Sequence, residues 1–308
     1  MADVPAPSAG PGQVLVRNRA AGLNFFDTLQ VGGKYQIKPP FPFTPGAEVA
    51  GTVESAGAGV THVKTGDRVM ALPHWGGFSE FSLAGAERVF PIPDGMNFAT
   101  AASIPLVYQT SYFALTLRAA LRPREWLLVH AGASGVGASA IQLGRAFGAN
   151  VIATAGSAEK LEFARRQGAA HTLDYSEASW VDRVKELTGG RGADVIYDPV
   201  GGDIFDLSSK CIAPEGRLLV IGFASGRIPS IAANRILLKD IAVVGAVWGG
   251  YVQRHPEYLA EAHGALMELY GSGRIQPPAP KTYAFEDAPA ALRDLANRKV
   301  PGKAALSW

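Results

Sequence analysis

Apolar and polar positions change rhythm near residue 105. Ahead of it, short β-like runs (Gln13 to Arg19, Glu48 to Glu54, Asp67 to Leu72, Phe78 to Leu83) are separated by Pro39-Pro40, Pro42, Pro45-Gly46 and Pro91-Ile92-Pro93. Short strands bounded by Gly and Pro predict an irregular β domain. One helix is predicted within it, Phe25 to Val31, with Asn24 in capping position.

From about Gln109 the pattern turns to helix and strand in alternation. A helix is predicted over Gln109 to Leu121, a strand over Trp126 to His130 and a helix over Gly135 to Phe147. Val151 to Thr154 reads as a strand, Ala158 to Gln167 as a helix and His171 to Leu173 as a short strand. Glu177 to Leu187 follows as a helix with Ser176 as its N-cap. Asp194 to Tyr197 and Arg217 to Ile221 are predicted strands around a helix near Ile204 to Cys211. After Asp240 come a strand, a long helix (Pro256 to Tyr270) and a strand–helix–strand unit within Thr282 to Leu306. Such alternation predicts βαβ units and a parallel sheet, an α/β fold.

The stretch HAGASGVGASAIQLGRAFGA, His130 to Ala149, joins the first of these strands to its helix through Gly132, Gly135 and Gly137. The first turn of a βαβ unit aims backbone N–H groups and a helix N-terminus at one spot, which favours a pyrophosphate. Glycines let the backbone approach that group closely. The spacing here is G-x-x-G-x-G rather than G-x-G-x-x-G, and small residues also serve close helix–strand packing. An acid at the end of the second strand would mark NAD. This chain instead reads Ile152-Ala153-Thr154-Ala155-Gly156-Ser157-Ala158-Glu159-Lys160. A hydroxyl and an ammonium suit the 2′-phosphate of NADPH. The alternative is an N-cap at Ser157 and a solvated Lys160, and Ser157 can do both.

Composition removes several other classes. Of 308 residues, 47% are hydrophobic and 18% charged, enough apolar material for large cores and against disorder. The net charge is only +2, without a basic stripe, so nucleic acid is an unlikely partner. One cysteine, Cys211, excludes an internal disulfide framework and a Cys-rich zinc site, and fits a reducing, cytoplasmic setting. No signal peptide is read at Met1 to Pro5. Ile241 to Val252 is apolar but only about a dozen residues long, against about twenty for a membrane span.

With these residues placed, the chain closely resembles the zinc-free, zeta-crystallin-like quinone oxidoreductases of the medium-chain dehydrogenase/reductase superfamily. The resemblance covers nearly the whole chain. It is carried by GLNFFDTLQVGGKY (Gly22 to Tyr35), PFTPGAEVAGTV (Pro42 to Val53), AGASGVG (Ala131 to Gly137), ATAGSAEK (Ala153 to Lys160), YDPVGG (Tyr197 to Gly202) and VIGFASG (Val220 to Gly226). It implies a GroES-like β domain (1–105), a doubly wound Rossmann NADP-binding domain (106–246) and a C-terminal return to the first domain (247–308). Cofactor and substrate are then expected in the cleft between the domains. Gly132, Ser134, Gly135, Val136 and Gly137 match the pyrophosphate loop. Ser157, Lys160 and Tyr175 match the group around the 2′-phosphate; Thr110, Gly222 and Phe223 match the nicotinamide side. Asn24 and Tyr35 match polar residues that face the substrate.

Two departures from the family pattern stand out. Relatives carry one further strand or more ahead of VPAPSAGPGQVLV (Val4 to Val16), so either the β domain lacks its first strand and leaves a partner unpaired, or the start lies upstream. Some relatives also have a second tyrosine where this chain has Leu29.

Zinc-dependent relatives use a Cys where this chain has Asn24, and Gly-His-Glu where it has Gly46-Ala47-Glu48, so no metal is expected. The six histidines are scattered, with no pair at ligand spacing on a helix. His130 is expected to be a packed histidine and Cys211 an inert core residue. Trp75-Gly76-Gly77 reads as a turn, although Trp75 could border a substrate cleft. Asn24 either holds the carboxamide or substrate oxygen or caps its helix. Tyr35 either donates a hydrogen bond or proton to a developing oxyanion or packs as a loop aromatic.

The activity this implies is NADPH-dependent reduction of quinones or related conjugated carbonyls, by hydride transfer without metal. The alternatives are an enoyl or enone C=C reductase, and a non-catalytic NADPH-bound structural or RNA-binding protein. Asp240 to Ala246, read as the edge strand of the second sheet and followed by Val247-Trp248-Gly249-Gly250, predicts a homodimer.

Overall fold

The structure, a computed structural model, describes residues 3–308. The chain divides into two compact units. Unit 1 holds the chain up to Gln109 together with His255–Met267 and Pro277–Trp308; unit 2 holds Thr110–Arg254 and Glu268–Gln276. The C-terminal segment is therefore shared, with residues 247–254 and 268–276 clustering in unit 2.

Unit 1 begins with the long strand β1 (Gln13–Leu23) and the helix α1 (Phe25–Val31). Strands β2 (Val49–Ala56), β3 (Arg68–Ala71), β4 (Phe81–Gly85) and β5 (Val89–Pro91) follow, with a short helix α2 (Phe98–Ala101). Helix α3 (Pro105–Phe113) carries the chain from unit 1 into unit 2. It starts at Pro105, which suits a first helical turn because its missing N–H has no intrahelical acceptor there. The helix predicted from Gln109 thus begins earlier, and it ends in a π-turn at Ala114–Arg118.

The parallel strands of unit 2 are β6 (Trp126–Val129), β7 (Asn150–Ala155), β8 (His171–Asp174), β9 (Ala193–Asp198), β10 (Ile212–Val220) and β11 (Ala242–Gly245). Its helices are α4 (Gly135–Ala146), α5 (Ala158–Arg166), α6 (Trp180–Leu187), α7 (Gly202–Ser208), α8 (Ala233–Lys239) and α9 (Trp248–Arg254). Helix α10 (Tyr258–Gly271) begins in unit 1 and ends in unit 2; β12 (Lys281–Ala284), α11 (Ala288–Ala296) and β13 (Ala304–Ser307) complete unit 1.

The sheet of unit 1 runs β12-β13-β1-β2-β3-β5, with β4 on β1. Strand β1 is bonded along its length to β2, and on its other edge to β4 and then β13. Among the described residues β4 pairs only with β1. The core behind this sheet gathers Val14, Val16, Val49, Val53, Val69 and Leu306, all at most 2% exposed.

The sheet of unit 2 runs β11-β10-β9-β6-β7-β8. Chain order goes outward from β6 through β7 to β8, then restarts beside β6 with β9. The order reverses there, and the carboxyl ends of strands around such a reversal open a crevice for a ligand. Close packing of α4 on β6 depends on small residues: a Cβ on Gly144 would come within 2.5 Å of Leu127. Leu128, Ile152, Ile196 and Leu218 fill the core from four adjacent strands.

Around α6, α7 and β10 the sequence-based boundaries change as well. Ser176 is not a helix cap: its N–H and hydroxyl both donate to Asp174 Oδ1, at 2.8 and 2.7 Å, and α6 starts only at Trp180. The Asp174 carboxylate competes for the turn and delays the helix. Helix α7 lies over Gly202–Ser208, not Ile204 to Cys211, and β10 starts at Ile212 rather than Arg217. Cys211 therefore lies between the two, buried beneath the sheet.

Candidate functional site

The glycine turn of unit 2 is built by its own hydrogen bonds. Gly132 N–H donates to Thr154 O at 2.8 Å, tying the turn to β7. Ser134 caps α4: its Oγ accepts from Gly137 N–H at 3.0 Å and donates to Ala131 O at 2.8 Å. Two of the glycines serve packing. A Cβ on Gly132 would lie 2.9 Å from the Ala153 Cβ, and one on Gly137 would lie 2.2 Å from Ala131 O. The N–H groups of Gly135 and Val136, first in α4, donate to no protein acceptor among the described residues. They are the donors left for an anion, at the positive end of a twelve-residue helix.

At the carboxyl end of β7 the residues expected around a 2′-phosphate come together. Ser157 caps α5, its Oγ accepting from Lys160 N–H at 3.4 Å. Gly156 lies against Tyr175, whose phenol oxygen would be 2.9 Å from a Cβ there. Tyr175 N–H in turn bonds Ala155 O at 3.2 Å. Lys160 is half-buried and forms no ion pair among the described residues. The acid nearest in register is Asp174, opposite Ala155, and its Oδ1 is held by Ser176, whose hydrogen bonds keep the carboxyl below the usual range.

The loops after β9 and β10 are tied to each other. Ile221 and Gly222 N–H groups donate to Asp198 O, at 3.0 and 3.4 Å, and Ala224 N–H to Pro199 O at 3.0 Å. Phe223 stands 40% exposed at the tip of this turn. Thr110 is half-buried on α3, beside Ser111, whose hydroxyl joins Ser139 Oγ (2.8 Å) and Tyr197 Oη (2.9 Å) in a buried cluster linking α3, α4 and β9. The Asp198 side chain had no role in the sequence reading. Its Oδ1 accepts from Val200 and Gly201 N–H groups, its Oδ2 is buried without a partner among the described residues, and burial raises its carboxyl to about 6.

Ser134, Gly135, Val136, Ser157, Lys160, Tyr175, Gly222 and Phe223 thus all follow the carboxyl ends of parallel strands, around the reversal of strand order. Free helix N–H groups and an ammonium without an ion pair among the described residues fit a phosphorylated dinucleotide.

In unit 1, Asn24 is 6% exposed at the start of α1. Asn24 is the N-cap of α1, and the Asp27 carboxylate closes a capping box on it: its Oδ2 accepts from Asn24 N–H at 2.7 Å. The Asn24 side chain turns inward. Its Nδ2 donates to Glu48 Oε1 at 2.8 Å and its Oδ1 accepts from Lys303 Nζ at 2.8 Å. Lys303 also donates to Leu23 O at 2.8 Å and forms a short ion pair with Glu48. Glu48 Oε2 accepts from Leu106 N–H at 3.0 Å, in the first turn of α3, the helix that carries Thr110. Asp27 is fully buried and its carboxyl is raised to about 7, mainly by burial, opposed by the Asn24 N–H and Lys303.

The Tyr35 ring lies against Phe26, tilted by 33° with centroids 5.4 Å apart, so the structure brings it to the helix that Asn24 caps. Its phenol pKa is raised by burial and by the nearby Asp27 charge. It remains protonated at neutral pH and able to donate. Leu29, in place of a family tyrosine, is half-buried on α1.

The remaining candidates have structural roles. His130 is fully buried, with Nδ1 2.8 Å from Thr154 Oγ1 and Nε2 2.8 Å from Ser208 Oγ; burial lowers its pKa to about 3. It is a packed, neutral imidazole. Burial raises the Cys211 thiol to about 12, far from thiolate character. Trp75 is 45% exposed, next to Gly76, whose φ of +90 makes the turn. No helix among the described residues is long and apolar enough to cross a membrane.

Comparisons with known proteins agree on one family. Residues 10–94 match the alcohol dehydrogenase GroES-like domain, and residues 135–264 match the zinc-binding dehydrogenase family. A quinone oxidoreductase of Pseudomonas aeruginosa is 38% identical over 299 residues, covering 96% of this chain and 91% of its own. The Escherichia coli quinone oxidoreductase complexed with NADPH superposes with a TM-score of 0.89 at 32% identity, covering 99% of this chain and 95% of its own. The CurK enoyl reductase superposes with a TM-score of 0.90 at 28% identity, over 99% of this chain and 93% of that one.

Proposed function

This chain belongs to the quinone oxidoreductase family of the medium-chain dehydrogenase/reductase superfamily, and from that premise we propose that it reduces a small quinone or related conjugated carbonyl with NADPH, without a metal. It is an oxidoreductase. The observation that carries the cofactor assignment is Lys160, which forms no ion pair among the described residues, one turn after Ser157 at the end of a strand that lacks an acid.

NADPH supplies the hydride. Gly135 and Val136 N–H groups and the α4 dipole hold the pyrophosphate. Lys160, Ser157 and Tyr175 hold the 2′-phosphate, and Lys160 is the only one of the three with a charge to offer it. Thr110, Gly222 and Phe223 position the nicotinamide ring. Asn24 donates a hydrogen bond to a reacting or neighbouring oxygen, and Tyr35, kept protonated, donates to the oxyanion as charge develops. The metal-free reading is supported by the donors themselves. Asn24 and Glu48 are bound to each other and to the Lys303 ammonium, which already balances the buried carboxylate charge.

A second reading, reduction of an enone C=C bond, is favoured by the likeness to an enoyl reductase. A panel of 1,4-benzoquinones and open-chain enones with NADPH separates the two. Steady turnover of quinones is expected. Turnover of enones alone replaces this reading with the second, and tight NADPH binding with no turnover on either makes the protein a cofactor-bound structural one.

A homodimer is part of the same reading. Among the described residues β11 ends its sheet with its outer edge unpaired, and Leu237, Leu238 and Val247, on either side of it, are 78%, 81% and 70% exposed. A bare strand edge flanked by exposed apolar side chains invites pairing with a second copy. A single buried cysteine fits a cytosolic location.

A further inference from the structure

Amide orientation is ordinarily ambiguous, because the oxygen and nitrogen of an asparagine look alike and either can face a hydroxyl or a water. Asn24 is an exception. An ammonium only donates and a carboxylate only accepts. With Lys303 Nζ 2.8 Å from one end of the amide and Glu48 Oε1 2.8 Å from the other, only one orientation satisfies both partners. A flipped amide would set NH2 against NH3+ and C=O against a carboxylate, in surroundings where all three residues are at most 6% exposed.

The clamp is itself held. Every Lys303 proton has an acceptor: Leu23 O, Asn24 Oδ1 and Glu48 Oε1. The second Glu48 oxygen is fixed by Leu106 N–H. Gly22 keeps the space clear, since a Cβ there would lie 2.6 Å from Glu48 Oε1. The second Nδ2 proton of Asn24 has no protein acceptor among the described residues.

We infer that Lys303 and Glu48 are positioning residues that lock Asn24 as a hydrogen-bond donor, so that the site selects a ligand atom that accepts, such as a carbonyl oxygen, over one that donates. The inference rests on the proposed role of Asn24 toward substrate or cofactor. Lys303 and Glu48 act through the amide they hold. The selectivity follows from charge: the ammonium occupies the amide oxygen, while the carboxylate takes one amide proton and leaves the other.

The test removes the clamp without leaving a lone buried charge. In Glu48→Gln/Lys303→Met the amide has neutral neighbours and both orientations become accessible. Replacing both members of a buried pair is often neutral for stability, whereas removing one is not. The first readout needs no activity. In protein labelled with 15N-asparagine, the Asn24 side-chain NH2 pair is assigned by its disappearance in Asn24→Ala. In the wild type, one proton of the pair should exchange with solvent at least tenfold more slowly than the other; in the double variant that difference should collapse. The second readout is kcat/KM for 1,4-benzoquinone with NADPH. It should fall at least tenfold in the double variant, and by less than twofold when the same two changes are made in Asn24→Ala. Two unprotected Asn24 protons in the wild type overturn the inference, a result that holds even if no variant folds. So does an unchanged pair in the double variant, or equal kinetic losses in the two backgrounds. If the wild type fails to reduce quinones, the proposed function falls while the exchange measurement still decides the clamp.

Discussion

Gly156 and the phenol of Tyr175 are in contact: a Cβ at residue 156 would sit 2.9 Å from the phenol oxygen and 3.0 Å from the ring carbon that bears it. The absent side chain lets Tyr175 fold over the end of β7, beside Ser157 and Lys160. Gly156→Val should push the phenol away. If the phenol contributes one hydrogen bond to the phosphorylated ribose, worth about 0.5–1.5 kcal/mol, the NADPH dissociation constant should rise about two- to tenfold. Isothermal titration calorimetry checks it, and an unchanged constant would show that Tyr175 is packing only.

Gly137 has a different job. A Cβ there would lie 2.2 Å from Ala131 O, which is backbone and cannot swing aside. Gly137→Ala should therefore lower stability by about 1–3 kcal/mol, the range for forcing atoms into a packed site. Urea denaturation followed by far-ultraviolet circular dichroism reads this directly. An unaltered midpoint would mean that the turn relaxes more freely than its geometry allows.

The buried imidazole of His130 gives a pH signature. Its pKa falls to about 3 in the folded protein, through burial, from an ordinary value near 6.5. The unfolded chain then binds more protons than the folded one between those values, so stability is lost as pH falls below about 6.5. The loss from this group is at most about 1.4 kcal/mol per pH unit. His130→Asn should weaken the fold at pH 7.5, because it cannot span both Thr154 and Ser208, yet should flatten the decline between pH 7 and 5. Parallel pH slopes for the two proteins would contradict this account.

Assembly can be tested at the exposed leucines beside the sheet edge. Leu238→Glu, alone or with Val247→Glu, should shift the mass measured by light scattering at micromolar concentration from dimer toward monomer. A charged side chain in an apolar contact is left without its water. A wild type that already scatters as a monomer would remove the dimer from the proposal.

Much of this was legible in the sequence, and the rest was hidden for definable reasons. The strand–turn–helix around Gly132 to Gly137 announces itself because glycine spacing and helical periodicity are local. The same holds for α1, which spans Phe25–Val31 as predicted, and for the missing acid after β7. Local signals also compete. Ser176 reads as a cap until Asp174, two residues earlier, is seen to take its N–H. Asn24 does hold the cap position, but its amide also carries partners, Glu48 and Lys303, that no local signal showed. Helices α8 and α9 were passed over because α8 carries Leu237 and Leu238 outward and α9 opens Trp248-Gly249-Gly250, so neither shows a clean apolar face. Lys303 was invisible for the opposite reason. It lies 255 residues from Glu48, and nothing short of the strand pairing of β1 with β13 brings it beneath Asn24.

The central claim is that this chain spends NADPH, chosen by Lys160, on a quinone. Its most direct test is the initial rate of cofactor oxidation with 1,4-benzoquinone, at one fixed salt concentration, for NADPH and NADH, in wild type and Lys160→Ala. A charge-assisted contact to a phosphate is worth about 1.5–3 kcal/mol, and about 1.4 kcal/mol is tenfold. The wild type should therefore prefer NADPH in kcat/KM by about one to two decades, and Lys160→Ala should lose most of that preference while its rate with NADH stays nearly constant. A wild type that prefers NADH, equal losses with both cofactors, or no oxidation above the rate in buffer would contradict the claim.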